Sequence, residues 1–121
     1  MKTALVIEDN LDIRENTAEI LELAGFNVVA VVNGREGIHT AVSTIPDLIL
    51  CDITMPEVTG YEVITELKKN PQTANIPFIY ISARAENKDV NFAMNMGAQG
   101  YIKKPFDAGE LIAVIEQVLC R

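Results

Sequence analysis

Five polar side chains whose chemistry suits phosphoryl transfer stand beside apolar segments of this chain. The set consists of Glu8 and Asp9 after the first segment, Asp52 after the third, Ser82 after the fourth and Lys104 after the fifth. Three carboxylates on one rim would repel one another, and desolvation would raise the pKa of at least one unless a cation lay among them. Mg²⁺ suits such oxygen ligands, because it prefers one or two carboxylates together with water and phosphate oxygens. These residue types therefore predict a magnesium-dependent phosphoryl site.

Asp52 is the member of this set that suits the role of phosphoryl acceptor. Its carboxylate closes the apolar run 48–51, where a charge is costly unless it is paired or reaches the surface. A carboxylate can act as a nucleophile and form an acyl phosphate. Mg²⁺, the Ser82 hydroxyl and the Lys104 ammonium can neutralise the phosphoryl oxygens during such a transfer.

Each of these residues also has an ordinary structural interpretation. A loop carboxylate such as Glu8 is most often solvated, and Asp9 or Asn10 would be a good N-cap for a following helix. Ser82 can be a turn residue and Lys104 a surface lysine. The prediction therefore depends on the joint spacing of the residues rather than on any one of them.

Apolar runs of strand length recur along the whole chain and must position these side chains. They span residues 4–7, 28–32, 48–51, 78–81 and 101–102. The runs are continuous rather than alternating, which is typical of strands that are buried on both faces. Between them the apolar residues have helical spacing, in segments at about 13–24, 34–45, 64–67, 87–95 and 107–119.

This alternation predicts an α/β fold, with a doubly wound five-stranded parallel sheet flanked by five helices and joined by right-handed crossovers. In such a sheet, ligands bind beyond the carboxyl ends of the strands, where the strand order switches. The polar residues described above follow those ends. Because we find no linker or internal repeat, we interpret residues 1–121 as one domain.

Composition narrows the classes of function. The 121 residues are 49% hydrophobic, which is enough to bury a core without disulfides or metals. The net charge of −7 provides no basic surface that would release counterions from a phosphate backbone, so we expect no direct nucleic-acid binding. Cys51 and Cys120 have neither metal-ligand spacing nor a disulfide framework, and we interpret both as reduced thiols.

The sequence also predicts a cytoplasmic protein that does not insert into membranes. No stretch approaches the roughly 18 consecutive apolar residues that a membrane span needs. Residues 1–3 lead straight into a strand-like run instead of a signal peptide.

The joint spacing of these residues resembles the response-regulator receiver family over essentially the whole chain. The similarity runs from the acidic pair in segment 6–10, VIEDN, to Lys-Pro-Phe at 104–106. Segment 47–56, DLILCDITMP, followed by Gly60, is similar to the phosphorylation loop of that family. Segment 97–106, GAQGYIKKPF, is similar to its C-terminal signature.

The resemblance implies a flavodoxin-like fold with strand order 2-1-3-4-5. It also implies that Asp52 accepts a phosphoryl group from a histidine kinase or a histidine phosphotransfer protein. Mg²⁺ would be held by Glu8, Asp9, Asp52 and the backbone carbonyl of Thr54. The protein would then be a signalling protein rather than an enzyme, although it would take part in its own phosphoryl transfer and dephosphorylation.

The family also implies how the signal leaves the domain. Ser82 and Lys104 would sense the phosphoryl group, and Tyr101 would turn inward as the hydroxyl of Ser82 moves. This change would reshape the face made by the fourth helix, the fifth strand and the fifth helix, which contacts a downstream protein target or an output domain. If the chain is complete, the signal must pass by protein contact, because no output domain follows the last helix. The Lys104–Pro105 bond would be cis.

This sequence departs from the commonest family pattern at a few positions. Glu8 stands where the family usually has Asp, which moves the carboxylate by one methylene. Ser82 replaces the more usual Thr and keeps the hydroxyl. Thr54 and Arg84, each two residues beyond a site residue, occupy positions that can control access of water to the phosphoryl group.

Other classes of protein fit the sequence less well. A flavodoxin needs a phosphate-binding first loop, whereas residues 8–9 are acidic, and segment 34–37 does not match a P-loop. A haloacid-dehalogenase-like phosphatase would need a second acid two residues after its first-strand nucleophile, and segment 8–11 lacks that pattern. The alternative that stays open is a receiver-like docking module that is never phosphorylated.

Overall fold

Strands and helices alternate along the chain in a computed structural model that describes residues 2–83 and 86–119. The strands are β1 Thr3–Ile7, β2 Asn27–Val31, β3 Leu48–Asp52, β4 Phe78–Ser82 and β5 Gly100–Lys103. The helices are α1 Leu11–Leu23, α2 Gly34–Thr44, α3 Gly60–Lys69, α4 Asn87–Asn95 and α5 Ala108–Leu119. Arg84 and Cys120, which the sequence analysis singled out, lie outside the described residues.

All strand pairs of the sheet are parallel, and the strand order is β2-β1-β3-β4-β5. The predicted α/β class and strand order are therefore confirmed. The order reverses at β1, which lies between β2 and β3, so the loops after β1 and β3 diverge and leave a crevice. Ile7 pairs with Cys51 across these two strands. Glu8 and Asp52 are the next residues after this pair, so they lie side by side at the carboxyl end of the two strands.

The three central strands are buried because helices cover both faces of the sheet. Side chains alternate between the two faces of the sheet and so form two cores. The strand residues of the first core are Leu5, Ile7, Ile49, Cys51, Phe78 and Tyr80. Those of the second core are Ala4, Val6, Leu48, Leu50, Ile79 and Ile81. The first core packs against α2, α3 and α4, and the second against α1 and α5. Cys51 is a small buried side chain, as predicted.

The second strand differs from the prediction of full burial. β2 forms the edge of the sheet next to β1, so its residues are half-buried or exposed. Val32, the last residue of the predicted run, falls outside the strand and is 43% exposed. A continuous apolar run therefore did not distinguish an edge strand from a central one.

Helix starts are fixed by side chains that the sequence pattern largely indicated. Asn10 caps α1 by accepting a hydrogen bond from the N–H of Ile13 at 3.0 Å, and Asn33 caps α2. At α5, the N–H of Glu110 donates to Asp107 at 2.8 Å. By contrast, α4 has no capping side-chain hydrogen bond among the described residues. Within residues 2–83 and 86–119, no helix has both the length and the apolar character that crossing a membrane requires.

Candidate functional site

Three carboxylates meet at the carboxyl ends of β1 and β3. Glu8 and Asp52 are buried and Asp9 is exposed. One carboxylate oxygen from each lies within 4.8 Å of the other two. The acidic cluster that the sequence predicted is therefore present, and it is the result of placing β1 beside β3.

Lys104 enters this cluster from the loop after β5. Its ammonium nitrogen lies 2.8 Å from Glu8 Oε1 and 3.3 Å from Asp52 Oδ2, and its side chain is 16% exposed. The backbone N–H of Lys104 donates to the carbonyl of Ser82 at 2.8 Å, which holds the end of β5 against the end of β4. Lys103, one residue earlier, is exposed. The lysine directly before the proline is thus the one that reaches the site, and the Lys104–Pro105 bond is cis.

Burial of Glu8 is compensated unequally at its two oxygens. The N–H of Asn10 donates to Oε2 at 3.2 Å. Among the described residues no donor makes a regular hydrogen bond to Oε1, although the Lys104 ammonium is close enough for an ion pair. This ion pair compensates the burial of Oε1, because the distance of 2.8 Å between the Lys104 nitrogen and Oε1 is typical of a charge-assisted contact.

Electrostatics at the site are dominated by burial of negative charge. Desolvation raises the pKa of Glu8 to about 7; the Lys104 contact opposes this rise and the Asp52 charge adds to it. Desolvation also raises the pKa of Asp52, against the attraction of Lys104. Burial acts to lower the pKa of Lys104, but the Glu8 and Asp52 carboxylates outweigh it and raise that pKa. The Lys104 ammonium therefore does not fully offset the cost of burying the Glu8 and Asp52 carboxylates.

The donor set fits a divalent cation. Hard carboxylate oxygens, two of them on buried residues, converge within 4.8 Å, and Glu8 Oε1 has no regular hydrogen-bond donor among the described residues. Mg²⁺ prefers such oxygens and retains several waters, for which the exposed side of Asp9 leaves room.

The loop after Asp52 is held tightly to the sheet. The N–H of Thr54 donates to Asp52 Oδ1 at 3.3 Å, and the N–H of Gly60 donates to the carbonyl of Ile53 at 2.8 Å. A Cβ at Gly60 would lie only 2.6 Å from the carbonyl oxygen of Asp52, so only glycine lets α3 begin this close to β3. The predicted metal-binding role of the Thr54 carbonyl stays a prediction.

Ser82 ends β4 and pairs with Lys103, whereas Tyr101 lies on β5 two residues earlier and pairs with Tyr80. Asp52 pairs with Ile81, so Ser82 comes one position further toward the carboxyl end, and its side chain is buried. Tyr101 is half-buried, with its ring centroid 6.4 Å from that of Tyr80. The structure therefore brings Ser82 to the rim of the acidic cluster and places Tyr101 in the core face below it.

Arg14 contributes to the site in a way that the sequence pattern missed. Its position in the helical segment 13–24, off the apolar stripe, predicts only that the side chain is turned away from the core. In the structure, its Nη1 donates to the carbonyl of Glu8 at 3.0 Å and to that of Asp9 at 3.5 Å, which fixes the acidic loop. The available signal was its position in the first turn of α1, directly after the acidic pair.

An apolar groove of about 340 Å³ adjoins Lys104 on its outer side. Its lining residues are Ile13 and Asn16 of α1, Ala83, Lys104, Pro105 and Phe106. Leu11, at the start of α1, is 54% exposed. A partner that reached Asp52 over this rim would therefore meet apolar surface next to the site.

Comparisons with known proteins agree with this geometry. The family model described as response regulator receiver domain matches residues 4–116. The probable transcriptional regulator ycf29 of Pyropia yezoensis is 38% identical over 97% of this chain and 53% of its own length. The response regulator SaeR of Staphylococcus aureus is 36% identical over 100% of this chain and 52% of its own length. The chain thus spans about half the length of the curated relatives it matches.

Solved structures show the same fold. The chemotaxis response regulator CheY4 of Vibrio cholerae superposes with a TM-score of 0.93 at 26% identity, covering 98% of each chain. A response regulator from Desulfuromonas acetoxidans gives a TM-score of 0.90 at 34% identity, covering 99% of this chain and 98% of its own. The receiver domain of the sensor histidine kinase PA1611 from Pseudomonas aeruginosa, with a magnesium ion coordinated in its active site cleft, gives 0.91 at 25% identity, covering 99% and 98%.

Proposed function

The chain belongs to the response regulator receiver domain family, and from this premise we propose that it is a two-component switch in which Asp52 accepts the phosphoryl group. One observation carries the assignment of the acceptor. The buried Asp52 carboxylate lies between the Lys104 ammonium, 3.3 Å away, and the carboxylates of Glu8 and Asp9. Glu8 shares the Lys104 ammonium but is fully buried, whereas Asp52 keeps 5% of its surface exposed, so Asp52 is the carboxylate of this pair that a phosphoryl donor can reach.

In the proposed reaction, a carboxylate oxygen of Asp52 attacks the phosphorus of a phosphohistidine on a partner protein. A phosphorus–oxygen bond forms as the phosphorus–nitrogen bond breaks, and the imidazole nitrogen keeps the electron pair and takes up a proton. Lys104 neutralises part of the charge on the phosphoryl oxygens, and the Ser82 hydroxyl donates a hydrogen bond to one of them. The Thr54 N–H keeps the Asp52 carboxylate in position through Oδ1.

We propose that Glu8, Asp9, Asp52 and the Thr54 carbonyl hold Mg²⁺. The burial of Glu8 supports this, because desolvation raises its pKa to about 7 despite the Lys104 contact, and a bound cation would favour the charged carboxylate. When bound, Mg²⁺ supplies positive charge that reduces repulsion between the carboxylates and the incoming phosphoryl oxygens. The magnesium ion in the cleft of the PA1611 receiver domain is consistent with this assignment.

The partner that delivers the phosphoryl group is proposed to be a histidine kinase or a histidine phosphotransfer protein. The groove next to Lys104 supports docking there, since its apolar residues, Ile13, Pro105 and Phe106, would pack against a helix that carries the phosphohistidine. In this proposal the protein is a cytoplasmic signalling protein rather than an enzyme acting on other molecules.

The output step is proposed to be a population shift. A phosphoryl group favours the active conformation only through contacts that differ between the two states. Ser82 and Lys104 supply such contacts, and Tyr101, which packs near Tyr80, would move with them. The face formed by α4, β5 and α5 would then bind a downstream protein or an output domain.

Intact mass spectrometry tests the acceptor assignment. The protein is incubated with Mg²⁺ and either acetyl phosphate or phosphoramidate, and we expect a gain of one phosphoryl group that is lost when Mg²⁺ is removed. Asp52→Asn should abolish the gain, whereas Asp12→Asn, at an exposed carboxylate in the first turn of α1, should retain it. Stoichiometric phosphate on Asp52→Asn would refute the assignment. No gain from either donor would favour the unphosphorylated docking module.

A further inference from the structure

We propose that the groove between α3 and α4 docks a segment of a partner protein in which an apolar side chain is flanked by Lys or Arg. The groove has a volume of about 340 Å³. Its lining residues come from α2, the loop before α3, α3 and α4, and none of them belongs to β5 or α5. The surface therefore differs from the α4-β5-α5 output face and from the groove beside Lys104, and this inference goes beyond the proposed function.

An anchored aromatic pair forms the apolar part of this groove. The rings of Phe92 and Tyr61 pack edge to face, with centroids 4.8 Å apart and an interplanar angle of 83°. Tyr61 packs in turn on the buried ring of Tyr80, with centroids 5.4 Å apart. Phe92 is nevertheless 53% exposed. A ring that is already held in place loses little conformational freedom on binding, so it is well suited to anchor a partner.

Single exposed apolar residues on a helix are common and need no explanation. Phe92 differs because it is part of a shaped surface. Met96, one turn further along, is half-buried in the same groove and offers an adaptable thioether, and Val58 also lines the groove. The groove can therefore accept one apolar side chain and still contact the residues that flank it.

The charge of the groove selects the flanking residues of its occupant. Glu62 and Glu66 lie one turn apart on α3 and are exposed, and no Lys or Arg is among the described lining residues. Glu66 pairs with Lys69 at 3.2 Å, but both side chains are more than half exposed, so a ligand cation can replace this contact at little cost. The net charge of the chain is −7, which opposes an acidic segment.

The aromatic rings that lie beside these carboxylates also favour a positively charged ligand. A guanidinium or ammonium placed over Tyr61 or Phe92 would gain a cation–π interaction and also lie near Glu62 or Glu66. An apolar anchor with basic neighbours therefore matches both the apolar and the acidic residues of the groove, whereas a neutral apolar segment would bring no cation to the two carboxylates.

Backbone amide shifts of the full ¹⁵N-labelled chain test the proposal. The probe is a capped hexapeptide of alternating lysine and leucine, and its controls replace leucine by serine or lysine by glutamate. We expect the lysine–leucine peptide to shift the amides of Tyr61, Thr65, Phe92 and Met96, with a Kd of about 0.1–1 mM. Both controls should bind at least roughly tenfold more weakly.

Two substitutions separate the apolar and the electrostatic contributions. Phe92→Ala should weaken binding about tenfold, and Glu66→Lys, at an exposed position that leaves the fold intact, should weaken it by a similar factor. Leu23→Ala, at a residue of α1 that is 83% exposed, should leave binding unchanged. Equal binding of the lysine–serine peptide, shifts confined to another face, or full binding by both Phe92→Ala and Glu66→Lys would overturn the proposal.

Discussion

Among single residues, Glu8 combines complete burial with an ionisable carboxylate. It is buried, and its pKa rises to about 7 from an ordinary value of 4.5, chiefly because of desolvation. In the unfolded chain this carboxyl ionises near its ordinary pKa, while the folded protein retains the proton up to about pH 7. The unfolded state therefore binds fewer protons in this window, and the free energy of unfolding falls as the pH rises through it.

We expect metal-free protein to lose stability on the order of 2 kcal/mol between pH 5 and pH 8 through this group, since each unit of pKa shift is worth about 1.4 kcal/mol. Urea unfolding in the presence of a chelator measures the change. Glu8→Gln, which cannot ionise, should show a clearly shallower decline. Identical pH profiles for the two proteins would mean that burial of this carboxylate is not what sets the pH dependence.

Residue types indicated which side chains could form a site, but not their partners. The resemblance implied Lys104 rather than Lys103 only through its position before proline, and the Lys104 ammonium lies 2.8 Å from Glu8; its role in phosphoryl transfer stays a prediction. Arg14 was missed, because helical periodicity shows which side chains leave the core and not which carbonyl they then meet. Such a contact depends on the path of the loop between β1 and α1.

The start of α3 shows how an element depends on one residue. Gly60 lies where the helix meets β3, and an added Cβ would be 2.6 Å from the carbonyl oxygen of Asp52 and 2.8 Å from the Cα of Ile53. Both contacts are with backbone, which does not move aside easily. We expect Gly60→Ala to lower the free energy of unfolding by about 1–3 kcal/mol, as measured by urea denaturation.

The matched comparison is Gly109→Ala in the first turn of α5. There the added Cβ would meet only Asp107 Oδ1, at 3.3 Å, a side-chain atom that needs to move by only a few tenths of an ångström while it keeps the hydrogen bond from Glu110. Because alanine is favoured over glycine in helices by roughly 0.5–1 kcal/mol, this change should be neutral or stabilising. Equal destabilisation by both substitutions would show that helix propensity, and not the approach of α3 to β3, accounts for the effect at Gly60.

Strands and helices could be predicted from the sequence because their apolar residues have different spacings: continuous runs in the strands and helical spacing in the helices. The five continuous runs became β1 to β5, and the capping residue Asn10 begins α1 where the sequence indicated. The burial of β2 was not predictable, because an edge strand and a central strand can have the same composition. Whether both faces of a strand are covered depends on its place in the sheet, which is not a local property.

At the scale of the whole molecule, the alternation of strand-like and helical segments predicted a parallel sheet, whereas the family resemblance implied the strand order. That order forms the acidic cluster, since the placement of β1 beside β3 brings Glu8 and Asp9 to Asp52. The aromatic contacts from Tyr101 through Tyr80 and Tyr61 to Phe92 join β5, β4, α3 and α4. The spacing of apolar residues along the sequence does not show such contacts, because the four aromatic residues lie in four different elements.

A ligand that binds across two strand ends should stabilise the entire fold. The three carboxylates come together only in the native sheet, so Mg²⁺ held by them, as proposed above, would bind the folded state in preference to the unfolded one. At a concentration one hundred times its Kd, a ligand of this kind adds about 2.7 kcal/mol to the free energy of unfolding. We therefore expect Mg²⁺ to raise the Tm by several degrees relative to NaCl of equal ionic strength, with a larger rise at pH 8 than at pH 5.

The variants Asp9→Asn and Asp12→Asn separate site binding from general ionic effects. Both replace an exposed carboxylate near the start of α1, but only Asp9 belongs to the cluster of carboxylates within 4.8 Å. Asp9→Asn should lose most of the rise in Tm, since it removes one cluster oxygen charge without disturbing buried groups, and Asp12→Asn should keep it. If Mg²⁺ stabilised both variants equally, the cation would be acting through the overall charge of −7 and not through the strand ends.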